Sequence, residues 1–177
     1  MQRRLSIRRR NAIPRDMSVT IVGVIGASRA SDELEALAEE VGAEVARNGA
    51  ALVCGGLTGV MEAACRGARS EGGLTIGINP SDSREDANPH VEVPIVTGMG
   101  MSRNIIVVKT ADVLVAVGGE YGTLSEIAYA LNNGKKVFSV RSWELEKARA
   151  GGVPDLVHVD DPREAVRMAL GSLGDGA

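Results

Sequence analysis

Apolar residues along this chain alternate between two periods. Continuous apolar runs at Val19–Ile25, Ala50–Cys54, Leu74–Ile78, Val113–Val117 and Val137–Val140 read as strands buried on both faces. Between them the spacing turns helical. Leu34, Leu37, Ala38, Val41 and Val45 predict a helix that opens at Ser31 or Asp32 and stops at Asn48-Gly49. Val60, Ala63, Ala64, Gly67 and Ala68 give the segment Val60–Ser70 a narrow face of small residues, fit for close approach to a sheet. Leu124, Ile127, Ala128 and Leu131 mark a third helix, closed by Asn132-Asn133-Gly134. Ala165, Val166, Ala169 and Leu170 form the inner face of a last one over Pro162–Leu173.

Shorter signals fill the gaps. Pro94–Val96 and Val157–Val159 read as brief strands, Trp143–Arg149 as a short helix, and Asn79–Pro89 as a polar loop able to cover a cleft. Ile105–Val108 is β-branched throughout, which by propensity is strand. Ser102 as a cap, and the need for a crossover before the next parallel strand, instead favour a helix over Arg103–Thr110. Strands alternating with helices predict an α/β fold: a doubly wound, mostly parallel, Rossmann-like sheet in one domain over residues 18–173, with its site at the carboxyl ends of the strands.

Three strand-to-helix turns carry glycines with hydroxyls at that edge. They are Gly26 with Ser28, Gly55 and Gly56 with Thr58, and Gly118, Gly119 and Gly122 with Thr123. Glycine lets backbone approach a ligand closely, and unpaired amides at the start of a helix favour an anion. These nine residues are the candidate phosphate cradle. The stretch Val115–Leu131 is its centre, passing from strand through glycines into helix. Glu126 stands in that helix's first turn, where Thr123-x-x-Glu126 is also a capping-box pattern; spacing leaves both roles open. Gly23-x-x-Gly26 does not complete the dinucleotide fingerprint G-x-G-x-x-G.

Composition narrows the class. With 177 residues and 2% aromatics, the core must be built from aliphatic residues, Ala and Met, which suits a parallel sheet under small-residue helices. Residues 1–16 hold six of the 20 Lys and Arg but one of the 23 acids, leaving 14 bases against 22 acids, a formal −8, for the rest. We expect residues 1–17 to be a basic, disordered extension or an upstream misassigned start, and residues 174–177 a tail. The acidic body argues against nucleic acid as partner, and no apolar run suits a membrane span, so a soluble cytoplasmic protein is expected. Cys54 and Cys65 read as core thiols. His90 and His158 belong to no ligand cluster, so no metal site is expected.

The segments GVIGASRAS, LVCGGLTGVMEAACRGARSEGGLTIGINP, MSRNIIVVKTAD and GGEYGTLSE together resemble the LOG-like (SLOG) Rossmann family. That family includes cytokinin nucleotide phosphoribohydrolases and proteins long labelled lysine decarboxylases. The resemblance spans about Val19–Val140. In the phosphoribohydrolases a P-G-G-x-G-T-x-x-E motif supplies a catalytic glutamate and an upstream helix an arginine, and these fall on Glu126 and Arg103. The implied reaction cleaves the N-glycosidic bond of a nucleoside 5′-monophosphate with no cofactor required. Gly119, Gly122 and Thr123 would receive the phosphate. Nothing resembles the pyridoxal-phosphate lysine site a decarboxylase needs.

The chain departs from that motif at three places: Gly118 replaces the proline, Glu120 the second glycine, and Ser125 the first of two adjacent acids. Glu120 puts a negative charge beside the cradle, where it should oppose phosphate. A second branch, the molybdenum cofactor carrier proteins, is also similar, around VEVPIVTGMGMSRN and DVLVAVG; it implies binding of a phosphorylated pterin, the molybdopterin cofactor, without turnover. A non-catalytic nucleotide-sensing or interaction domain is a third reading. The family also implies a homodimer or higher homo-oligomer, joined through the helices near the site.

Overall fold

The computed structural model describes residues 19–145 and 155–174. The predicted basic extension, and residues 175–177 of the predicted tail, lie outside the described residues. Seven strands form one sheet: β1 (Ile21–Gly26), β2 (Ala51–Cys54), β3 (Thr75–Asn79), β4 (Val93–Val96), β5 (Val113–Val117), β6 (Val137–Val140) and β7 (Leu156–His158). Every neighbouring pair is parallel, in the order β4-β3-β2-β1-β5-β6-β7. The helices are α1 (Asp32–Arg47), α2 (Val60–Ser70), α3 (Asn104–Thr110), α4 (Tyr121–Asn132) and α5 (Pro162–Gly171).

Both faces of the sheet are covered, which explains why its strands read as continuous apolar runs. Val22, Val24, Val113, Val115 and Val117 point to the face under α1, α2 and α5. Ile25, Leu114 and Ala116 point to the other, where Val107 of α3 and Ile127 of α4 meet them. From β1 the chain winds outward to β4, then returns to lay β5 against the free side of β1. That reversal sets Gly26 beside Val117 and leaves a crevice at the carboxyl ends of β1 and β5, where ligands enter open α/β sheets.

Local signals place the helix ends. The Ser31 hydroxyl caps α1 by accepting from the Leu34 amide at 3.3 Å, and Asp161 caps α5 by accepting from the Arg163 amide at 2.8 Å, with Pro162 in the first turn. The β-branched stretch Ile105–Val108 is indeed helical, because tertiary burial of Val107 and Val108 outweighs propensity. A 3-10 turn at Gly100–Arg103 runs straight into α3, so Ser102 lies inside a turn and caps nothing, contrary to expectation. The Lys135 ammonium closes the other end of α3, donating to the carbonyls of Val108 at 2.9 Å and Lys109 at 3.2 Å, and to that of Ala111.

Three further expectations are corrected. The small face of α2 meets α1 as well as the sheet: a Cβ at Gly42 would run into the Ala64 carbonyl, and one at Gly67 into the Glu39 carbonyl. Adjacent crossover helices on one sheet face pack side by side, and here they do so backbone to backbone. The loop Asn79–Pro89 contributes nothing to the crevice at the strand ends. Asn88 anchors it to the turn after β2, donating from its amide to the Gly56 carbonyl and from Nδ2 to the Leu57 carbonyl, both at 2.9 Å. Trp143–Leu145 is not helical, and the rest of the short helix predicted over Trp143–Arg149 lies outside the described residues. Cys54 and Cys65 are buried free thiols with their sulfurs 3.5 Å apart. No helix among the described residues is long and apolar enough to cross a membrane.

The α1–α2 contact predicts that Gly67→Ala destabilises the protein by about 1–3 kcal/mol through overpacking, although alanine in a helix is otherwise favoured by about 1 kcal/mol. The check is a lowered denaturant midpoint with an unchanged slope.

Candidate functional site

At the switch point, residues from four segments line a crevice with an interior of about 110 Å³ that opens to solvent through its mouth. The turn after β1 contributes Gly26, Ala27 and Ser28, the turn after β2 Gly55 and Leu57. The 3-10 turn and the start of α3 contribute Met101, Arg103 and Asn104. Glu120, Gly122, Thr123 and Glu126 come from the entrance and first turns of α4.

Of the nine cradle candidates, Gly26, Ser28, Gly55, Gly122 and Thr123 line this space. The other four stand behind it. Gly56, at φ +74°, packs on the Asn79 side chain. Thr58 gives its hydroxyl to the Ser28 carbonyl at 2.9 Å, tying the β1 and β2 turns together. Gly118 and Gly119 adopt φ +54° and +129°, shaping the bend from β5 into α4. A proline, fixed near φ −65°, cannot take the Gly118 conformation, so replacement of the motif's proline comes with a differently shaped turn.

Gly55 has a second role that the sequence did not disclose. A Cβ there would lie 2.8 Å from the guanidinium carbon of Arg103, so glycine is what lets this side chain in. Arg103 is 3% exposed, and its Nη2 donates to the Gly55 carbonyl at 3.1 Å, while Nε is buried without a partner. Burial lowers its pKa, against the pull of Glu126 and Cys54. A guanidinium has five N–H donors and is effectively always charged, so one carbonyl leaves its hydrogen-bonding capacity largely unused.

Glu126 is buried in the same crevice, and its pKa is pushed up to about 7, first by burial and partly offset by Arg103. The two charges feel each other without closing to a salt bridge within 4.0 Å. The capping-box alternative falls away, because α4 begins at Tyr121. Its N-cap is Glu120, which makes no side-chain cap bond, and Thr123 already lies inside the helix. Among the described residues, Glu126 therefore has no structural partner to explain its burial. The uncapped start of α4, with its free amides and positive dipole, borders the crevice, and exposed Glu120 lines it there. Trp143 steadies that corner, donating Nε1 to the Glu120 carbonyl at 3.2 Å and packing on Tyr121 with ring centroids 6.0 Å apart.

Asn104 is a site residue that sequence reasoning passed over. It is 8% exposed, lines the crevice, and its Oδ1 is buried without a partner. Its only sequence signal is adjacency to Arg103 at the head of a helix.

A profile of the SLOG cluster4 family matches residues 19–166. A cytokinin riboside 5′-monophosphate phosphoribohydrolase of Mycobacterium tuberculosis is 36% identical, over 86% of this chain and 94% of that one. Among solved structures, a molybdenum cofactor binding protein of the phototrophic bacterium Rippkaea orientalis superposes with a TM-score of 0.77 at 33% identity, over 89% of this chain and 98% of that one. A molybdenum cofactor carrier protein of Chlamydomonas reinhardtii does so with 0.76 at 31% identity, over 88% and 99%.

The raised pKa of Glu126 makes a stability prediction. The folded protein holds this proton more tightly than the unfolded chain, whose carboxyl titrates near the usual 4.5, so the group weakens the fold as pH rises from about 4.5 through about 7. Glu126→Gln should melt several degrees above the parent at pH 8 and alongside it at pH 4.5, read by thermal denaturation across pH.

Proposed function

This chain belongs to the SLOG cluster4 family, and we propose that it binds a nucleoside 5′-monophosphate in the switch-point crevice and hydrolyses its N-glycosidic bond. The observation that carries this reading is Glu126: a buried carboxyl with no cap and no ion pair among the described residues, lining a crevice that it shares with a buried arginine. The phosphate rests at the α4 amides around Gly122 and Thr123. Arg103 offers its free donors to ligand oxygens. Glu126, ionised, takes a proton from water as the water oxygen bonds to C1′ and the C1′–N bond breaks. The electron pair and a proton go to the departing base, leaving ribose 5-phosphate. A carboxyl with a pKa near 7 is suited to both holding and releasing that proton near neutrality. The relative from Mycobacterium tuberculosis carries the name of this activity, which supports the assignment.

A second reading has its own support. The chain resembles two molybdenum cofactor proteins in structure, and Glu120 and Ser125 depart from the hydrolase motif. Under it, the same crevice holds a phosphorylated pterin with Arg103 as anion clamp and no turnover. A third reading, a nucleotide-sensing domain, would bind without turnover as well.

We also infer a second copy of this chain as partner. Met101, Asn104, Ile105, Glu126 and Tyr129 line a groove on the α3–α4 face that adjoins the crevice, and Met101 and Ile105 are 64% and 44% exposed.

Incubation with AMP and adenine-modified analogues should release free base and ribose 5-phosphate. Arg103→Ala and Glu126→Gln should each lower the rate by roughly 10²-fold or more. With Glu126 acting ionised, kcat/KM should fall about tenfold per pH unit below about 7. No release, with molybdenum retained after loading, would favour the carrier reading. Sedimentation should give a dimer, and Ile105→Asp a monomer; a monomeric parent would refute the partner assignment.

A further inference from the structure

Three polar features divide the crevice along its length. The start of α4, at Gly122 and Thr123, is its electropositive end. Glu126 lies one turn further along the same helix. Asn104 borders both: the position a Cβ would take on Gly122 is 3.9 Å from its Nδ2, and Asn104 shares the crevice and the adjoining α3–α4 groove with Glu126.

The Asn104 side chain makes no hydrogen bond among the described residues, although the residue is more than nine-tenths buried and its Oδ1 is shut off from solvent. Leaving a buried amide unpaired costs about 1–3 kcal/mol. Asn79 is the other asparagine with an orphaned side-chain amide, but it is sealed beneath Gly56 and lines no part of the crevice. Asn104 lines the crevice, and its Nδ2, unlike its Oδ1, is not sealed from it. By turning about its last bond, a carboxamide presents either a donor or an acceptor, so it can pair with a hydroxyl in either sense, whereas a phosphate oxygen calls only for a donor.

We propose that Asn104 is a specificity-determining residue that hydrogen-bonds a ribose hydroxyl of the bound nucleotide and so selects ribo- over deoxyribonucleotides. This rests on the nucleotide reading above. With phosphate at the head of α4 and the anomeric carbon at Glu126, the part of the ligand that passes Asn104 is the sugar ring. Arg103 next to it answers to negative charge, so the neutral amide is left as the group able to sense a hydroxyl. A deoxy ligand would leave the amide buried and unpaired, the situation in which a polar site discriminates best.

The test is calorimetric titration of the full chain with AMP, 2′-deoxy-AMP, 3′-deoxy-AMP and ribose 5-phosphate, repeated on Asn104→Leu and Asn104→Asp. Melting curves identify any variant that fails to fold. The parent should bind AMP about tenfold or more tighter than at least one deoxy analogue, and Asn104→Leu should reduce that ratio to about one. Asn104→Asp, which keeps an acceptor of the same shape, should retain part of the discrimination while binding all the phosphorylated ligands more weakly. Equal binding of AMP and both deoxy analogues by the parent, or an undiminished ratio in folded Asn104→Leu, would overturn the assignment of Asn104 and leave the nucleotide reading standing. If neither AMP nor ribose 5-phosphate binds the parent, the nucleotide reading fails and the proposal falls with it.

Discussion

A guanidinium held almost out of water on one carbonyl is the constraint around which this structure is arranged. Taking an unpaired ion into a protein interior costs several kcal/mol, and the fold meets that cost for Arg103 without supplying a full partner. Gly55 gives up a side chain to admit it, a 3-10 turn delivers it, and Glu126 opposes it across the gap. If the two charges closed on each other, both would be satisfied and the crevice would shut. Kept apart, each retains capacity for a third party. Such an arrangement weakens the empty protein and strengthens a complex, which is the usual trade between stability and a preformed site.

The parallel sheet makes this separation rigid. Arg103 arrives from the crossover between β4 and β5, and Glu126 from the helix that follows β5, so the two are carried by elements packed on the same sheet face. The return of the chain from β4 to β5 opens the space between the turns after β1 and β5. Thr58 bridges to Ser28 and Asn88 bridges to the turn after β2, which fixes the far wall. Both bonds end on crevice-lining residues, Ser28 and Leu57, and hold them from behind. Their work is to keep the glycine turns in place so that the polar groups inside need no protein partners to hold their positions.

Much of this was legible from the chain. Continuous apolar runs gave the strands, helical spacing gave four of the five helices, and glycines at the strand ends located the edge where the site lies. What could not be read locally was the task of each glycine. Gly42 and Gly67 look like weak points in helices, yet they let α1 and α2 touch backbone to backbone; Gly55 looked like a ligand contact and serves also as the seat of an arginine. Capping patterns misled for the same reason. Ser102 and Thr123 stand at plausible spacings, but a turn that continues into α3 and an earlier start of α4 put both inside helical structure. Asn104 escaped notice because nothing in a sequence shows that an asparagine has been buried without a partner.

The departures from the phosphoribohydrolase motif fall at one end of the crevice. Gly118 takes a backbone conformation closed to proline, and Glu120 stands at the uncapped start of α4, where its charge opposes the amides and dipole that would hold an anion. At the other end, Arg103 and Glu126 keep the positions expected of them. Changes confined to one end would, under the nucleotide reading, alter how a phosphate is held and leave the arginine and carboxyl at the far end untouched. The molybdenum cofactor proteins and the phosphoribohydrolase share this fold and differ in what their names say of turnover, so the distinction between holding and cleaving rests on few groups. In this chain the buried carboxyl of Glu126 is the group on which the two readings part, because burial raises its pKa and the fold stands to gain stability without it.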